Sequence, residues 1–402
     1  MSHSRLSERC SEFAKRVKSY KEIGCYPYFR VIDKSFGTEV EVQGRRLLMT
    51  SSNDYLGFTH DSRIIHKSIE IIKKYGTGTG GSRLLCGNYI LHHELEQRLA
   101  DFVGKKKALV FPTGFTTNLG SVVSLLKAED TILFDRENHA SIYDACKMSR
   151  ATIIPFKHNS PDDAAVKLSK AKISSDKGVI FLITEGVFSM SGSIVDLPEF
   201  VKLKQEFPQF YIYLDDAHGL GTIGAGGRGV SHYFNSQNDV DFIMGTFSKT
   251  FASIGGFLAT NDTQIADYLL HNSRTMLFSA ALPPGNIATV LACLDALEDD
   301  PGRPDKLWKN IKRVKQGYRS IGIAVDNTMS PIIPVSIGDE DLAIRISHDL
   351  FMQNIFALPV IYPAVARNKA ILRTTFMSSH TSEQIDFFLE ILEKTMRRYA
   401  LL

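Results

Sequence analysis

The chain has 402 residues, 44% of them hydrophobic, and a formal net charge of +3. This length is enough for one large hydrophobic core and a second smaller one, and so small a charge gives no reason to expect a nucleic-acid partner. The five cysteines are scattered and odd in number, and none forms a C-x-x-C pair. Neither a disulfide framework nor a zinc site is indicated, and a reducing compartment is favoured.

The N-terminal segment is polar and contains no apolar run typical of a signal peptide. No stretch of the chain approaches the roughly 18 apolar residues that a membrane helix requires. We therefore predict a cytoplasmic protein without a transmembrane segment. The amphipathic stretch Leu6–Tyr20 has two interpretations, packing in a dimer or peripheral contact with a membrane surface, and the first is the more economical.

Residues 1–57 are predicted to form an N-terminal arm, made of this helical stretch and a short hairpin across Glu39–Met49. From residue 58 to residue 290, apolar runs alternate with helical patterns such as Gly114–Lys127 and Pro198–Glu206. Such alternation predicts an α/β domain with a mostly parallel central sheet that helices cover on both faces. The predicted strands are Ala108–Phe111, Thr131–Phe134, Thr152–Phe156, Val179–Thr184, Tyr211–Leu214, Phe242–Met244 and Gly256–Ala259.

Residues 291–402 are predicted to form a small C-terminal α+β domain. A long helical pattern from Asn286 to about Ile321 is interrupted near Pro301 and Pro304. Strand-like and helical stretches then follow in turn, namely Ile332–Ile337, Asp341–Gln353, Ala370–Phe376 and Ser382–Tyr399. The chain contains neither internal repeats nor low-complexity segments.

Two glycine-rich stretches match the G-x-G-x-x-G pattern of dinucleotide-binding proteins. Gly76–Gly81 follows a helical pattern rather than a strand, and Gly224–Gly229 precedes no convincing helix. The fingerprint requires a strand before it and a helix after it, because the helix N-terminus must point at the pyrophosphate. A nicotinamide or flavin site is therefore not predicted, and neither a Walker A motif nor a G-x-S-x-G elbow occurs.

A better candidate phosphate site lies where the strand ending at Phe111 gives way to a helix. Thr113, Gly114 and Phe115 are at this junction, and the free N–H groups and dipole of a helix N-terminus favour an anion. An ordinary capped helix is the competing interpretation. Hydroxyl groups that flank Lys249 could contact the same phosphate, and they belong to Thr246 and Ser248.

Polar side chains follow four of the predicted strands, where an open α/β sheet binds its ligands. A lysine, an acid and a histidine at neighbouring strand ends are what a pyridoxal phosphate (PLP) site needs, since a lysine forms the Schiff base and an acid keeps the pyridine nitrogen protonated. Any one of these residues alone could be an ordinary polar turn residue. Their clustering is harder to explain by packing, and the residues are His139, Glu185, Ser189, Asp215, His218 and Lys249.

Arg373 lies in an otherwise apolar strand-like stretch near the C-terminus. An arginine in such a place needs a carboxylate partner. That partner could be an acidic residue of the chain itself or the carboxylate of a substrate, and the residues alone leave both open.

Together these motifs resemble the α-oxoamine synthases, which are fold-type I PLP enzymes that condense an amino acid with an acyl thioester and release carbon dioxide. The resemblance extends from about Tyr28 to Thr395. The stretches that carry it are Asn53–Gly57, Gly76–Arg83, Asp135–Ser141, Thr184–Met190, Asp215–Gly221, Gly245–Lys249 and Phe278–Pro284.

The resemblance implies a role for each matching position. Lys249 corresponds to the Schiff-base lysine, His139 to the residue stacked on the cofactor ring, Asp215 to the partner of the pyridine nitrogen and His218 to the partner of the ring hydroxyl. Contacts on the phosphate side are implied for Gly114, Phe115, Thr246 and Ser248, and substrate-carboxylate contacts for Asn53 and Arg373. Ser279 corresponds to a phosphate contact from the neighbouring subunit, which implies a homodimer with active sites at the subunit interface.

Within the family the chain most resembles the soluble bacterial serine palmitoyltransferases, through segments such as Gly81–Leu85, His271–Arg274 and Tyr362–Val365. This implies condensation of L-serine with palmitoyl-CoA to 3-ketodihydrosphingosine, the first step of sphingolipid synthesis. Ala366 departs from the proline expected after the last segment. Alternatives are a sister enzyme that uses glycine or alanine with another acyl-CoA or an acyl carrier protein, and an inactive partner subunit, which should have lost Lys249.

Overall fold

A seven-stranded sheet forms the centre of the protein, whose computed structural model describes residues 4–171, 178–207, 209–326 and 329–402. The strand order is β4-β10-β9-β8-β7-β5-β6, and the pairs among β9, β8, β7, β5 and β6 are parallel. Only β10 runs antiparallel to its neighbours. The strands are β4 (Lys107–Phe111), β5 (Thr131–Asp135), β6 (Thr152–Phe156), β7 (Ile180–Glu185), β8 (Phe210–Asp215), β9 (Phe242–Thr246) and β10 (Gly256–Thr260).

Both faces of this sheet are covered, as continuous apolar strands require. Alternate residues of β7 enter two separate hydrophobic cores, with Leu182 in one and Phe181 and Ile183 in the other. The predicted α/β architecture is therefore confirmed. The helices in this part of the chain are α2 (Ser62–Tyr75), α3 (Ile90–Val103), α4 (Gly114–Leu125), α5 (Ala140–Ser149), α6 (Pro161–Lys170), α7 (Leu197–Glu206), α8 (Val230–Tyr233), α9 (Thr263–Asn272) and α10 (Arg274–Leu277).

The predicted C-terminal α+β region is also present. The helical pattern that begins near residue 286 divides into α11 (Pro284–Asp299) and α12 (Arg303–Ser320), and Pro304 lies in the first turn of α12, where proline is tolerated. A three-stranded antiparallel sheet with the order β11-β14-β13 follows. Its strands and the neighbouring helices are β11 (Ile332–Gly338), α13 (Glu340–Met352), β13 (Leu358–Val360), β14 (Ala370–Thr375) and α14 (Ser382–Arg398).

The N-terminal residues form the predicted helix and hairpin, and the hairpin joins a small sheet with a later part of the chain. Helix α1 (Arg5–Glu22) has no buried residue and contacts α13 through an ion pair of 2.7 Å between Arg16 and Glu340. The sheet has the order β1-β2-β3-β12, and β12 pairs parallel with β3. Its strands are β1 (Lys34–Ser35), β2 (Glu39–Val42), β3 (Arg45–Met49) and β12 (Ile355–Phe356).

Because β12 pairs with β3, the arm and the C-terminal region share a sheet. The division into residues 1–57, 58–290 and 291–402 stays a prediction. Among the helices of the described residues, none combines the length and the apolar character that a membrane span needs.

Candidate active site

The carboxyl ends of the parallel strands open into a cavity of about 330 Å³. This is the edge at which open α/β sheets bind ligands. All predicted cofactor residues except Ser189 and Ser279 line it. The lining comprises Thr113, Gly114, Phe115, Asn118, His139, Ser141, Glu185, Asp215, Ala217, His218, Met244, Thr246, Ser248, Lys249, Ile254 and Gly255.

Lys249 reaches this cavity from the turn that joins β9 to β10. Hydrogen bonds close the turn, with Phe247 N donating to Gly255 O at 2.9 Å and Ser253 N donating to Phe247 O at 2.9 Å. Burial lowers the pKa of Lys249 to about 8, and the charge of Arg373 acts in the same direction, against the opposing charges of the nearby carboxylates. A lysine with such a pKa is neutral in about a tenth of molecules at pH 7, far more than an unperturbed lysine, and the neutral amine is the form that a nucleophile or base requires.

Asp215 and Glu185 lie side by side as the last residues of β8 and β7, and they are direct partners in the parallel register. Both are buried. Asp215 accepts hydrogen bonds from Asn118 Nδ2 at 2.8 Å and from Ala217 N at 3.1 Å. Desolvation, followed by the neighbouring charge of Asp215, raises the pKa of Glu185 well above its usual value. The pair therefore favours one carboxylate, on Asp215, and one neutral carboxyl, on Glu185.

Asn118 holds Asp215 in place and was not identified from the sequence. Its Nδ2 also donates to Ser141 Oγ at 2.9 Å, and its Oδ1 accepts from the hydroxyl of Tyr213 at 2.9 Å. The side chain is buried, so all of these bonds are shielded from water. The available signal was its spacing, because position 118 is one helical turn after Gly114 and so faces the same cavity.

His139 is the N-cap of α5, and its imidazole faces the cavity. Its Nδ1 lies 2.8 Å from Ser141 Oγ, which fixes the ring orientation. Although the residue is exposed toward the cavity, surrounding protein atoms desolvate the ring and lower its pKa, and the charge of Lys249 contributes to this decrease. A neutral imidazole with one open face is suited to stacking on a planar ring.

A hydrogen-bonded chain connects His218 to Arg373. His218 Nδ1 lies 2.7 Å from the hydroxyl of Tyr55, which donates to Asn53 Oδ1 at 3.1 Å. Arg373 also donates to Asn53 Oδ1, at 3.1 Å, and donates from Nε to Ser189 O at 2.8 Å. Burial lowers the pKa of His218 well below its usual value, so the ring is neutral. Tyr55 is a second residue that was not identified individually, although it lies in the motif Asn53–Gly57.

The predicted phosphate side is formed by the start of α4 and the end of β9. Thr113 caps the helix by accepting from Thr116 N at 3.0 Å, which leaves the first-turn N–H groups of Gly114 and Phe115 outside the helical ladder. Thr246 Oγ1 lies 3.0 Å from Ser248 Oγ. A Cβ at position 114 would lie 2.7 Å from Thr246 Oγ1, so glycine is what allows these two segments to approach each other.

Four predicted residues lie outside the cavity lining, namely Ser189 and Ser279 from the cofactor set and Asn53 and Arg373 from the substrate set. The carbonyl of Ser189 accepts a hydrogen bond from Arg373 Nε at 2.8 Å, and its contact with the cofactor stays a prediction. Ser279 is half-buried beside the exposed Phe278. Its proposed contact is with the cofactor of a second subunit, so its role stays a prediction.

Comparison with known proteins identifies the family. Residues 46–392 match the family model described as aminotransferase class I and II. The chain belongs to this family. The serine palmitoyltransferase of Sphingobacterium spiritivorum is 42% identical over 397 residues, which cover 99% of this chain and 97% of that protein. The 8-amino-7-oxononanoate synthase of Thermoanaerobacter pseudethanolicus is 37% identical over 381 residues, or 94% and 95% of the two chains.

Among solved structures, a serine palmitoyltransferase from S. paucimobilis with bound PLP superimposes with a TM-score of 0.95. The two sequences are 28% identical, and the match covers 99% of this chain and 100% of the other. These findings confirm the fold-type I architecture and a PLP-dependent acyltransferase of the α-oxoamine synthase type. The predicted alternative of an inactive partner subunit finds no support, because Lys249 lies in the cavity with the other predicted groups.

The cavity of this family member fits PLP chemically. An amine with a lowered pKa, a buried carboxylate and a helix N-terminus with adjacent hydroxyls surround one space. Among the described residues, the buried Oε1 atom of Glu185 also has no hydrogen-bond partner. A buried polar atom without a partner is unfavourable unless a ligand supplies one, which is consistent with a site that binds a polar group here.

Proposed function

We propose that this chain catalyses the decarboxylative condensation of L-serine with palmitoyl-CoA, which yields 3-ketodihydrosphingosine, CoA and carbon dioxide. The observation that carries the proposal is a cavity that holds Lys249 and Asp215, with Arg373 close enough for its charge to act on Lys249. The chain is also 42% identical to a serine palmitoyltransferase over nearly its full length. Relatives at 37% identity that carry another name make glycine or alanine the competing amino acid substrates.

When bound, PLP supplies an aldehyde that couples to amines and a ring that absorbs the electron pair left at an amino acid's α-carbon. Lys249 Nζ is the amine that holds it covalently. The carboxylate of Asp215 holds the proton on the pyridine nitrogen, and Asn118 keeps that carboxylate oriented. The N–H groups and hydroxyls around Gly114 and Thr246 bind the phosphate.

Arg373 binds and orients the carboxylate of the amino acid. Its Nε and one terminal nitrogen are already used by Ser189 O and Asn53 Oδ1, which leaves the other terminal nitrogen for the substrate. Those two bonds fix the plane of the guanidinium, so the incoming carboxylate meets a preorganised donor. His139, which lines the cavity, can donate a second hydrogen bond to the same carboxylate.

Lys249, once displaced by the amine of the substrate, accepts the proton of the α-carbon at Nζ. Its lowered pKa suits this step, because an ammonium could not accept a proton. After the new carbon–carbon bond has formed and carbon dioxide has departed, the same Nζ returns a proton to the α-carbon. Burial of these groups excludes water, which would otherwise protonate the carbon prematurely.

We also propose a homodimer whose active sites lie at the subunit interface. Three large apolar side chains near Ser279 and the motif Gly76–Arg83 are exposed in the single chain, Leu84 by 57%, Leu85 by 80% and Phe278 by 78%. Large exposed apolar side chains in one region are typical of a protein interface. A cytoplasmic location is proposed because all five cysteines are unpaired, as a reducing compartment would keep them.

The proposed function is tested by titrating the visible spectrum of the PLP-loaded protein with L-serine, glycine and L-alanine. We expect a saturable shift with serine at lower concentration than with either of the others. Incubation with serine and palmitoyl-CoA should then release CoA. A spectral shift with glycine or alanine but not with serine would agree with the family and would refute serine as the substrate. The absence of any chromophore after addition of PLP would refute the proposed chemistry as a whole.

A further inference from the structure

A second group of polar side chains lies beside the cavity and is not used by the proposed reaction. His158 Nε2 lies 2.8 Å from Ser193 Oγ, and His158 Nδ1 lies 3.1 Å from Asp135 Oδ1. The Asp135 side chain is buried, whereas His158 and Ser193 are half-buried. His158 therefore connects the end of β5 to the loop between β7 and α7, residues 186–196.

Serine, histidine and aspartate in this order also occur in hydrolase active sites. Here the Ser193 hydroxyl is held in a further hydrogen bond, at 2.9 Å, by Ser191 Oγ. Neither serine lines the cavity that contains Lys249. The arrangement is a connection between two loops rather than a nucleophile facing a substrate.

On one side, Asp135 organises the segment that presents His139. Its Oδ1 accepts from Glu137 N at 2.9 Å, and its Oδ2 accepts from Asn159 N at 2.7 Å. Burial opposes a charge on His158, but the hydrogen bond to Asp135 and the charges of Asp135 and Glu137 outweigh it and raise the pKa of His158. The bond between His158 and Asp135 is thus the one that charge strengthens.

On the other side, Ser193 closes the loop that carries Ser189. Phe188 N donates to Ser193 O at 2.9 Å, and the ring of Phe188 packs edge-on against His158 with the centroids 4.3 Å apart. The next carbonyl along the chain, Ser189 O, accepts from Arg373 Nε at 2.8 Å. The position of the Arg373 acceptor therefore depends directly on the loop that His158 holds.

The same loop also contacts the sheet that carries Arg373. Gly192 adopts a φ of +71°, and a Cβ there would lie 2.5 Å from Ile332 O, the first residue of β11. Strand β11 pairs with β14, where Pro334 lies opposite Arg373. The loop is consequently wedged between the central sheet and the C-terminal sheet, and His158 is its hydrogen-bonded attachment to the central sheet.

We propose that His158 is a positioning residue for the amino acid substrate, which acts through Ser193 and the carbonyl of Ser189 to hold the Arg373 guanidinium in its binding orientation. This inference rests on the proposed function, in which Arg373 binds the substrate carboxylate. It assigns to His158 an effect on amino acid binding and none on the acyl thioester.

The test measures the amino acid Kd of the PLP-loaded protein from its visible spectrum in the variants His158→Ala and His158→Gln. We expect His158→Ala to raise the serine Kd by about tenfold, equivalent to about 1.4 kcal/mol, with less than a roughly twofold change in the KM for the acyl thioester. His158→Gln, which can still donate to Ser193, should recover much of the affinity. His232→Ala is the matched control, because that histidine is also half-buried and its Nδ1 lies 3.2 Å from Gln237 Nε2, in a segment other than the loop that carries Ser189.

A double-mutant cycle with Arg373→Ala separates positioning from general destabilisation. If His158 acts through Arg373, His158→Ala should change the serine Kd little in a protein that already lacks the guanidinium. An equal tenfold loss in that background, or an unchanged Kd in folded His158→Ala, would overturn the inference. If the unmodified protein itself shows no shift with serine, the proposed function fails instead, so the two failures are distinguishable.

Discussion

Asp216 provides the sharpest test of the electrostatics behind the active site. It is fully buried next to Asp215, and its Oδ2 accepts from Val230 N at 2.7 Å. Its Oδ1 has no hydrogen-bond partner among the described residues. Burial, with a contribution from the charge of Asp215, raises the pKa of Asp216 from 3.8 to about 7. We predict that Asp216→Asn makes the folded protein less sensitive to alkaline pH.

The direction of this change in stability with pH follows from proton linkage. The folded protein binds the proton of Asp216 more tightly than the unfolded chain does, so this proton stabilises the fold fully below about pH 4. The stabilisation is lost as the pH rises through about 7, above which the buried carboxylate is charged in the folded state. An asparagine cannot ionise, so the variant should lose none of this stability over the same range.

The magnitude follows from the difference between the two pKa values. About three units correspond to about 4 kcal/mol, of which about 3 kcal/mol falls between about pH 5 and about pH 8. Close packing argues against relief by water, because a Cβ at Gly219 would lie 2.0 Å from Asp216 Oδ1 and one at Gly229 would lie 2.2 Å from Oδ2. The desolvation cost of the amide does not depend on pH, so it cancels between the two conditions and the pH-dependent effect stays about 3 kcal/mol.

The assay is urea unfolding of the cofactor-free proteins at about pH 5 and about pH 8. The free energy of unfolding of Asp216→Asn, relative to the unmodified protein, should increase by about 3 kcal/mol between the two conditions. Asp144→Asn, at an exposed position of α5, is the control and should show no such increase. If the difference in unfolding free energy between Asp216→Asn and the unmodified protein is the same at both pH values within about 0.5 kcal/mol, the assigned pKa and the burial argument are refuted.

Three further predictions concern the cavity directly. Lys249→Ala should abolish both the visible absorbance of covalently held PLP and all condensation, and normal turnover in that variant would exclude its assigned role. Arg373→Ala should raise the amino acid Kd by about 10- to 100-fold, the worth of a charge-assisted hydrogen bond, and an unchanged Kd would make Arg373 structural. Glu185→Gln should retain α-proton exchange of bound serine, whereas Asp215→Asn should lose it, and NMR in deuterium oxide measures this exchange. Equal effects of the two substitutions would contradict the assignment of the negative charge to Asp215 and of the proton to Glu185.

The central sheet could be predicted well because its strands are buried on both faces. Continuous apolar runs identified all seven strands, and their bounds differ from the structure by at most two residues. Most of the differences at the carboxyl ends occur where apolar character ends but pairing continues. Glu185 and Asp215 were predicted to follow their strands, whereas both are the last residues of the ladder and pair with each other. A hydropathy pattern cannot show that a buried acidic residue still belongs to a strand and is paired in the sheet.

The site could be predicted less completely, because some of its contacts depend on how distant segments dock. Asn118 contacts Asp215 because α4 packs against α5 beside the end of β8, and nothing in its local sequence specifies that partner. Arg373 arrives from another sheet, and the residues alone left its partner open between an internal carboxylate and a substrate. The structure shows two neutral acceptors, Asn53 Oδ1 and Ser189 O, and among the described residues no acidic side chain forms an ion pair with Arg373.

The arrangement at the ends of β7 and β8 explains why a single strong electron sink can form there. Two carboxyl groups that are neighbours in a parallel ladder cannot both ionise in a buried site without a large energetic cost. Asn118 and Ala217 donate hydrogen bonds to Asp215, whereas Oε1 of Glu185 has none among the described residues. Glu185 therefore retains its proton, and the negative charge is concentrated on Asp215. That charge is what keeps a pyridine nitrogen protonated, and the same desolvation lowers the pKa of Lys249 until it can act as a base.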